Sequence, residues 1–113
     1  MLADVAPDDP ILAEELFGPV APVVPWTDDD ELIERVNRSE MGLASYVYSG
    51  DLQRAGRLAE ALETGMVGIN RGVVSDPSAP FGGMKQSGLG REGDRDGLAA
   101  FLETRYFSID WPQ

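Results

Sequence analysis

The hydrophobic and polar positions in the first two thirds of the chain predict two amphipathic helices. Segments 28–38 and 51–62 carry apolar residues at helical spacing, with charged residues on the remaining positions. Thr27 or Asp28 can cap the first helix, and Asp51 can cap the second. Acidic residues lie at the N-terminal end of the first helix and arginines near its other end, as the helix dipole favours.

Three segments around these helices are typical of strands. Segments 20–26, 43–48 and 66–70 are short and rich in β-branched and other apolar residues. Prolines interrupt the first of them, which indicates an edge strand or a bulge because proline cannot donate to a ladder. The resulting order, β-α-β-α-β, predicts an α/β fold with a parallel sheet segment and right-handed crossovers.

The last third of the chain predicts a long loop, a third helix and a final strand. Residues 71–91 have no periodic pattern, and loops of that length are usually functional. A helix is predicted over 94–103, and its expected buried side consists of three apolar residues, Leu98, Phe101 and Leu102. Residues 105–111 alternate strictly between apolar and polar side chains, which predicts a half-buried strand.

Composition excludes several kinds of site. The 113 residues include no Cys and no His, so disulfides, Cys or His zinc sites and Ser-His or Cys-His catalytic pairs are excluded. A net charge of −11 argues against binding to nucleic acid or to an anionic membrane. The sequence shows no charged and apolar leader and no long apolar run, so we expect a cytoplasmic protein.

The stretch from 80 to 93 is rich in glycine, and Gly88, Gly90 and Gly93 satisfy the pattern G-x-G-x-x-G. A dinucleotide fingerprint requires a strand that leads directly into the glycines, whereas here the polar loop 85–87 precedes them. We therefore interpret these glycines as residues of tight turns and close packing.

Lys85 and Arg91 are cations within this glycine-rich stretch. They could bind phosphate, but the sequence has no G-K-[ST] pattern of a P-loop. The favoured prediction is that both side chains donate to carbonyl groups that the turns leave free.

Residues 80–92, P-F-G-G-M-K-Q-S-G-L-G-R-E, resemble the C-terminal signature of the NAD(P)-dependent aldehyde dehydrogenases. Residues 14–19, E-E-L-F-G-P, resemble the cofactor motif of that family, and residues 65–70, G-M-V-G-I-N, resemble a strand of it. The run at 70–75, N-R-G-V-V-S, is similar to succinate-semialdehyde dehydrogenases in particular.

This resemblance implies a place for the chain within a larger enzyme. Residues 1–113 would be a single partial domain, the C-terminal part of the catalytic domain of an enzyme that oxidises an aldehyde with NAD or NADP. Residues 105–111 would be a terminal strand through which the enzyme forms a homo-oligomer.

The resemblance also implies roles for four residues. Glu15 would hold the nicotinamide ribose and Phe17 would pack near the nicotinamide, whereas an exposed acid and a core aromatic are the alternatives. Ser75 would bind the far carboxylate of the substrate, although residues 75–77 also suit an ordinary turn. Phe81 would line the substrate channel, with core packing as the alternative.

The nucleophile of this family is a Cys thiolate that attacks the aldehyde, and this sequence has no Cys. We therefore assign no catalytic residue and no metal ligand to the chain, and expect it to be inactive and without bound cofactor when alone. The alternative is a non-catalytic, free-standing fold of the same origin that self-associates or binds a partner.

Overall fold

A computed structural model describes residues 1–112, which divide into two compact units, Met1–Leu32 and the part that begins at Ile33. Within the described residues, the chain forms a short 3₁₀ helix, three α-helices and four strands. In order they are the 3₁₀ helix Pro10–Leu12, α1 (Asp29–Asn37), β1 (Met41–Gly42), β2 (Ala44–Val47), α2 (Leu52–Ala61), β3 (Met66–Ile69), β4 (Met84–Lys85) and α3 (Asp94–Ala99).

The helix caps explain where α1 and α2 begin. The carboxylate of Asp28 accepts hydrogen bonds from the N–H groups of Asp30 and Glu31, at 2.9 and 3.0 Å. The carboxylate of Asp51 does the same for Gln53 and Arg54, also at 2.9 and 3.0 Å. Each cap satisfies two N–H groups that have no partner within the helix, so both predicted helices and their aspartate caps are confirmed.

Strands β2 and β3 form a parallel pair whose register runs from Ala44 opposite Met66 to Val47 opposite Ile69. Helix α2 connects them and packs on both, and its Ala55 is fully buried. Val47 and Ala55 are the buried hydrophobic residues of the described chain. The predicted parallel strand–helix–strand arrangement over 43–70 is thus confirmed.

A second, antiparallel pair joins β1 to β4, with Met41 opposite Lys85 and Gly42 opposite Met84. It places the glycine-rich stretch beside the residues that lead into β2. The sequence pattern did not predict this pair, because a two-residue ladder leaves no periodic signal. The loop predicted over 71–91 is therefore interrupted by one short strand.

The strand predicted over 20–26 is not formed. A single parallel bridge joins Leu2 to Pro22, with the Leu2 N–H donating to Ala21 and the Val23 N–H donating to Leu2. Pro22 and Pro25 lack the N–H that a continuous ladder needs, so the bridge and one further hydrogen bond, from the Val5 N–H to the Val23 carbonyl, do not extend into a strand. The predicted β-α-β-α-β order therefore lacks its first strand.

The last two predicted elements also differ from the structure. Helix α3 ends at Ala99 instead of 103, and three side chains expected to be buried are exposed: Leu98, Phe101 and Leu102. Residues 105–111 form no strand, and their three apolar residues are exposed as well: Phe107, Ile109 and Trp111. A strand needs a ladder partner and an apolar face needs a covering surface, and residues 1–112 supply neither to this tail.

Among residues 1–112, no helix has the length and apolar character needed to cross a membrane.

Candidate functional site

The predicted cofactor residues, Glu15 and Phe17, lie in the first unit on the segment that follows the 3₁₀ helix. The N–H of Gly18 donates to the carbonyl of Leu16 at 3.0 Å, so the chain turns sharply at Phe17. Glu15 is exposed and the side chain of Phe17 is 95% exposed. The alternative of a core aromatic is therefore not realised within this chain.

The predicted substrate residue Ser75 lies in the loop after β3 and is exposed. A turn follows it directly, in which the Ala79 N–H donates to the Asp76 carbonyl at 3.0 Å. The hydroxyl and the N–H of Ser78 both donate to the Asp76 carboxylate. These hydrogen bonds, that of the hydroxyl most strongly, hold the pKa of Asp76 below its ordinary value. Ser75 thus precedes a fixed turn that spans 76–79.

Both ends of this loop pack closely on neighbouring backbone of the second unit, to which the loop belongs. A β-carbon at Gly68 would lie 3.0 Å from the Val74 side chain and 3.1 Å from the Arg71 carbonyl, so the missing side chain makes room for the loop. At the other end, a β-carbon at Gly93 would lie 2.8 Å from the Ala79 carbonyl. The loop is held at its start and end, while Ser75 lies between these contacts.

Phe81 begins the glycine-rich loop that Glu92 closes. The two residues form an antiparallel bridge, in which each N–H donates to the other carbonyl at 2.7 and 2.8 Å. Phe81 is half-buried and lines an open concavity of about 340 Å³. Ser75 is not one of the residues that line this concavity.

Inside the loop, Nη1 of Arg91 donates to the carbonyls of Gly83 and Gly90, both at 2.8 Å. A β-carbon at Gly82 would lie 2.7 Å from both the Arg91 side chain and the Gly90 carbonyl.

The predicted turn glycines Gly88, Gly90 and Gly93 have positive φ values of 119°, 76° and 73°, which confirms their role in turns. Close packing is confirmed for Gly93 alone of the three, because no atom lies within 4 Å of a β-carbon at Gly88 or Gly90. The prediction that Arg91 donates to carbonyls of the loop is also confirmed.

Lys85 fastens the same loop to the end of α1. Its ammonium donates to the carbonyls of Asn37 and Ser39 at 2.6 and 3.0 Å and pairs with the Glu63 carboxylate at 2.7 Å. The Asn37 carbonyl is one that the end of α1 leaves without a helical partner, and the Ser39 carbonyl lies in the turn that follows the helix. The predicted structural role of Lys85 is therefore confirmed.

Glu15 and Phe17 lie two positions apart in the first unit, whereas Ser75 and Phe81 lie in the second unit. Within residues 1–112 no group of three carboxylates is arranged to hold a metal ion.

Sequence reasoning missed the role of Asn70, whose side chain hydrogen-bonds both the N–H and the carbonyl of Ser49. Its position directly after an apolar strand was the available signal.

The sequence model of the aldehyde dehydrogenase family matches residues 1–107. The chain belongs to this family. It is 52% identical to a succinate-semialdehyde dehydrogenase of Paenarthrobacter nicotinovorans, over 99% of the chain and 25% of that protein. It is 48% identical to a succinate-semialdehyde dehydrogenase of Escherichia coli K12 whose name specifies NADP⁺, over 96% of the chain and 22% of that protein.

A solved structure supports the assignment of this chain to the aldehyde dehydrogenase family. The crystal structure of succinate-semialdehyde dehydrogenase from Burkholderia pseudomallei matches with a TM-score of 0.79 and 54% identity. The match covers 84% of this chain and 20% of that one. The chain therefore spans about a quarter of the length of the curated relatives that it matches.

Proposed function

We propose that this chain is the C-terminal segment of an NAD(P)-dependent aldehyde dehydrogenase that oxidises succinate semialdehyde or a similar aldehyde to a carboxylate. The observation that carries the proposal is the match over residues 1–107, together with the names of the two relatives. The chain would form one wall of the active site, and the Cys nucleophile would come from the remaining three quarters of the enzyme.

Glu15 and Phe17 are the cofactor contacts in this proposal. A carboxylate has two acceptor oxygens, which suit the two neighbouring hydroxyls of a ribose. The exposed ring of Phe17 at a sharp turn fits an aromatic that packs on a ligand or on the rest of the enzyme. When bound, the nicotinamide supplies the hydride acceptor, and the role of Glu15 is to orient it through the ribose.

Ser75 and Phe81 are the substrate contacts in this proposal. The hydroxyl of Ser75 is a donor that suits the far carboxylate of a semialdehyde, and its exposure on a loop held at both ends supports that role. The balancing positive charge would come from elsewhere in the enzyme. Phe81 supplies an apolar surface to the concavity that it lines.

Residues 105–111 are the proposed contact between subunits. Three alternating apolar residues are exposed there: Phe107, Ile109 and Trp111. Burying each of them is worth roughly 1.5–3 kcal/mol. A strand from the rest of the enzyme, or from another subunit, would satisfy the unpaired backbone as well.

The alternative is a non-catalytic fold of the same family that acts by self-association. The exposed tail supports this alternative as well as the enzyme proposal, because it would associate with or without an active site nearby. The two proposals differ in what they require of the missing three quarters: only the enzyme proposal requires that segment for function.

The proposal is tested with a chimeric protein, in which this chain replaces the matching quarter of the Paenarthrobacter enzyme. Under the proposal, the soluble chimera reduces NAD or NADP with succinate semialdehyde and the chain alone does not. The unmodified Paenarthrobacter enzyme and a chimera without its nucleophilic Cys are the controls. A soluble, assembled chimera without activity contradicts the proposal.

A further inference from the structure

The end of the parallel pair β2–β3 shows how the loop that carries Ser75 begins. The Asn70 N–H donates to the Val47 carbonyl at 2.8 Å, as the parallel ladder requires. In a regular continuation, the Ser49 N–H would next bond the main-chain carbonyl of Asn70. Instead, Asn70 adopts a left-handed conformation with φ of 52°, which takes that carbonyl out of the ladder.

The side chain of Asn70 replaces the missing main-chain groups. Its Oδ1 accepts from the Ser49 N–H at 2.9 Å, and its Nδ2 donates to the Ser49 carbonyl at 2.9 Å. A side-chain amide carries one acceptor and a donor group in the same plane as a peptide does, so it continues the ladder while the main chain leaves it. Asparagine is also among the few residues that tolerate the left-handed region.

The departing main chain then folds back over β3. The Arg71 carbonyl and the Val74 side chain lie over Gly68, and a β-carbon at Gly72 would lie 3.4 Å from the Tyr48 hydroxyl. The direction in which the loop leaves the sheet thus depends on Asn70, five residues before Ser75.

We infer that Asn70 is a positioning residue for substrate recognition: its amide fixes the loop that presents Ser75 to the far end of the aldehyde substrate. This inference rests on the proposed function. It concerns the end of the substrate remote from the reacting carbonyl, so the loss of Asn70 affects recognition of that end before it affects the chemical step.

The test compares two substrates of equal chain length in the chimera, succinate semialdehyde and the uncharged butanal. Asn70→Asp keeps the acceptor and loses the donor, and Asn70→Gly keeps the left-handed conformation and loses both hydrogen bonds. We expect KM for succinate semialdehyde to rise about tenfold, the equivalent of about one net hydrogen bond. We expect KM for butanal, and kcat for both substrates, to change little.

Asn37 provides a matched control. Its side chain also bridges main-chain groups, because Nδ2 donates to the Ala61 carbonyl at 2.8 Å and Oδ1 accepts from the Glu63 N–H at 2.9 Å. Asn37→Asp removes the same donor at a site outside loop 71–80, and we expect it to leave the ratio of the two KM values unchanged.

Three outcomes overturn the inference. If the Asn70 variants lose equal activity with both substrates, the role of Asn70 is merely structural. The same holds if Asn37→Asp changes the ratio of the two KM values as much as the Asn70 variants do. If both Asn70 variants are insoluble while Asn37→Asp folds, Asn70 serves the fold and the inference fails. Failure of the proposed function is distinct, because the unsubstituted chimera would then lack activity.

Discussion

A β-carbon at Gly65 would overlap the carbonyl oxygen of Gly82, because the main chains of these two residues lie in direct contact. Gly65 directly precedes β3, and Gly82 lies in the glycine-rich loop that Phe81 and Glu92 close. The contact holds the loop against the sheet without help from any side chain. Backbone packing thus explains why a side chain is excluded at Gly65, where the glycine-rich loop meets the residue before β3.

Gly65→Ala should destabilise the chimera. The added methyl group meets backbone and not a flexible side chain, so relief requires movement of the loop, at a cost of about 1–3 kcal/mol. We expect a lower apparent melting temperature. Gly56→Ala is the control, since Gly56 lies within α2, an added β-carbon there meets nothing within 4 Å outside the helix backbone, and the substitution should stabilise by about 0.5–1 kcal/mol. Equal effects of the two substitutions would contradict the packing argument.

Lys85→Met should also lower the apparent melting temperature of the chimera. The substitution keeps most of the aliphatic stem but leaves two carbonyls at the end of α1 and the Glu63 carboxylate without their cation. Hydrogen bonds to a charged group are worth about 1.5–3 kcal/mol, and the Lys85 side chain is only 24% exposed.

The matched control for Lys85 is Arg38→Met, which breaks an exposed pair with Glu34 one helical turn away. Exposed pairs contribute little because water screens them, so we expect almost no change in melting temperature. A larger loss for Arg38→Met than for Lys85→Met would show that the capping role of Lys85 is unimportant.

The cap of α2 should make the helix sensitive to acid. The N–H of Arg54, and to a lesser degree that of Gln53, lowers the pKa of Asp51 below its ordinary value of 3.8. A group with a lowered folded-state pKa stabilises the fold above the unfolded value, and this stabilisation is lost as the pH falls through the folded value.

We therefore expect an NMR titration of the chain to give an Asp51 carboxyl pKa below 3.8. The variant Asp51→Asn keeps an acceptor for the cap but cannot titrate. Helix content in this variant should vary less with pH below about 4 than in the unsubstituted chain. An Asp51 pKa at or above the ordinary value would be inconsistent with the cap.

The exposed tail should cause the chain to associate. Light scattering on the intact chain should detect oligomers at micromolar concentration, whereas a chain that ends at Thr104 should be a monomer. The shortened chain should be monomeric because it lacks Phe107, Ile109 and Trp111, which no surface within residues 1–112 covers. A monomeric intact chain, or equal association of the shortened one, would rule out the tail as the interface.

Local signals predicted the middle of the fold well. Asp28 and Asp51 cap the helices that follow them, and the apolar runs at 43–48 and 66–70 contain the paired strands β2 and β3. These elements are specified by residues within one or two turns of each other. Lys85 and Arg91 were interpreted correctly because turns leave carbonyls that need donors.

Elements that depend on distant partners could not be predicted in the same way. The alternation at 105–111 indicates that one face should be covered, but it does not specify a ladder partner, and none lies within residues 1–112. The two-residue pair β1–β4 has no pattern of its own. The position of Asn70 after an apolar strand was a signal in the sequence, but its hydrogen-bond partner Ser49 lies 21 positions earlier and is identified only by the structure.

The central claim, that this chain supplies an active-site wall to a longer enzyme, is tested most directly at Glu15. The measurement is kcat of the chimera with saturating succinate semialdehyde and cofactor after Glu15→Gln, with Glu14→Gln, the adjacent exposed acid, as control. We predict a fall of about tenfold or more for Glu15→Gln, because a misplaced nicotinamide slows the chemical step, and no change for Glu14→Gln. Unchanged kcat and cofactor KM in Glu15→Gln, or equal losses in the two variants, would contradict the account.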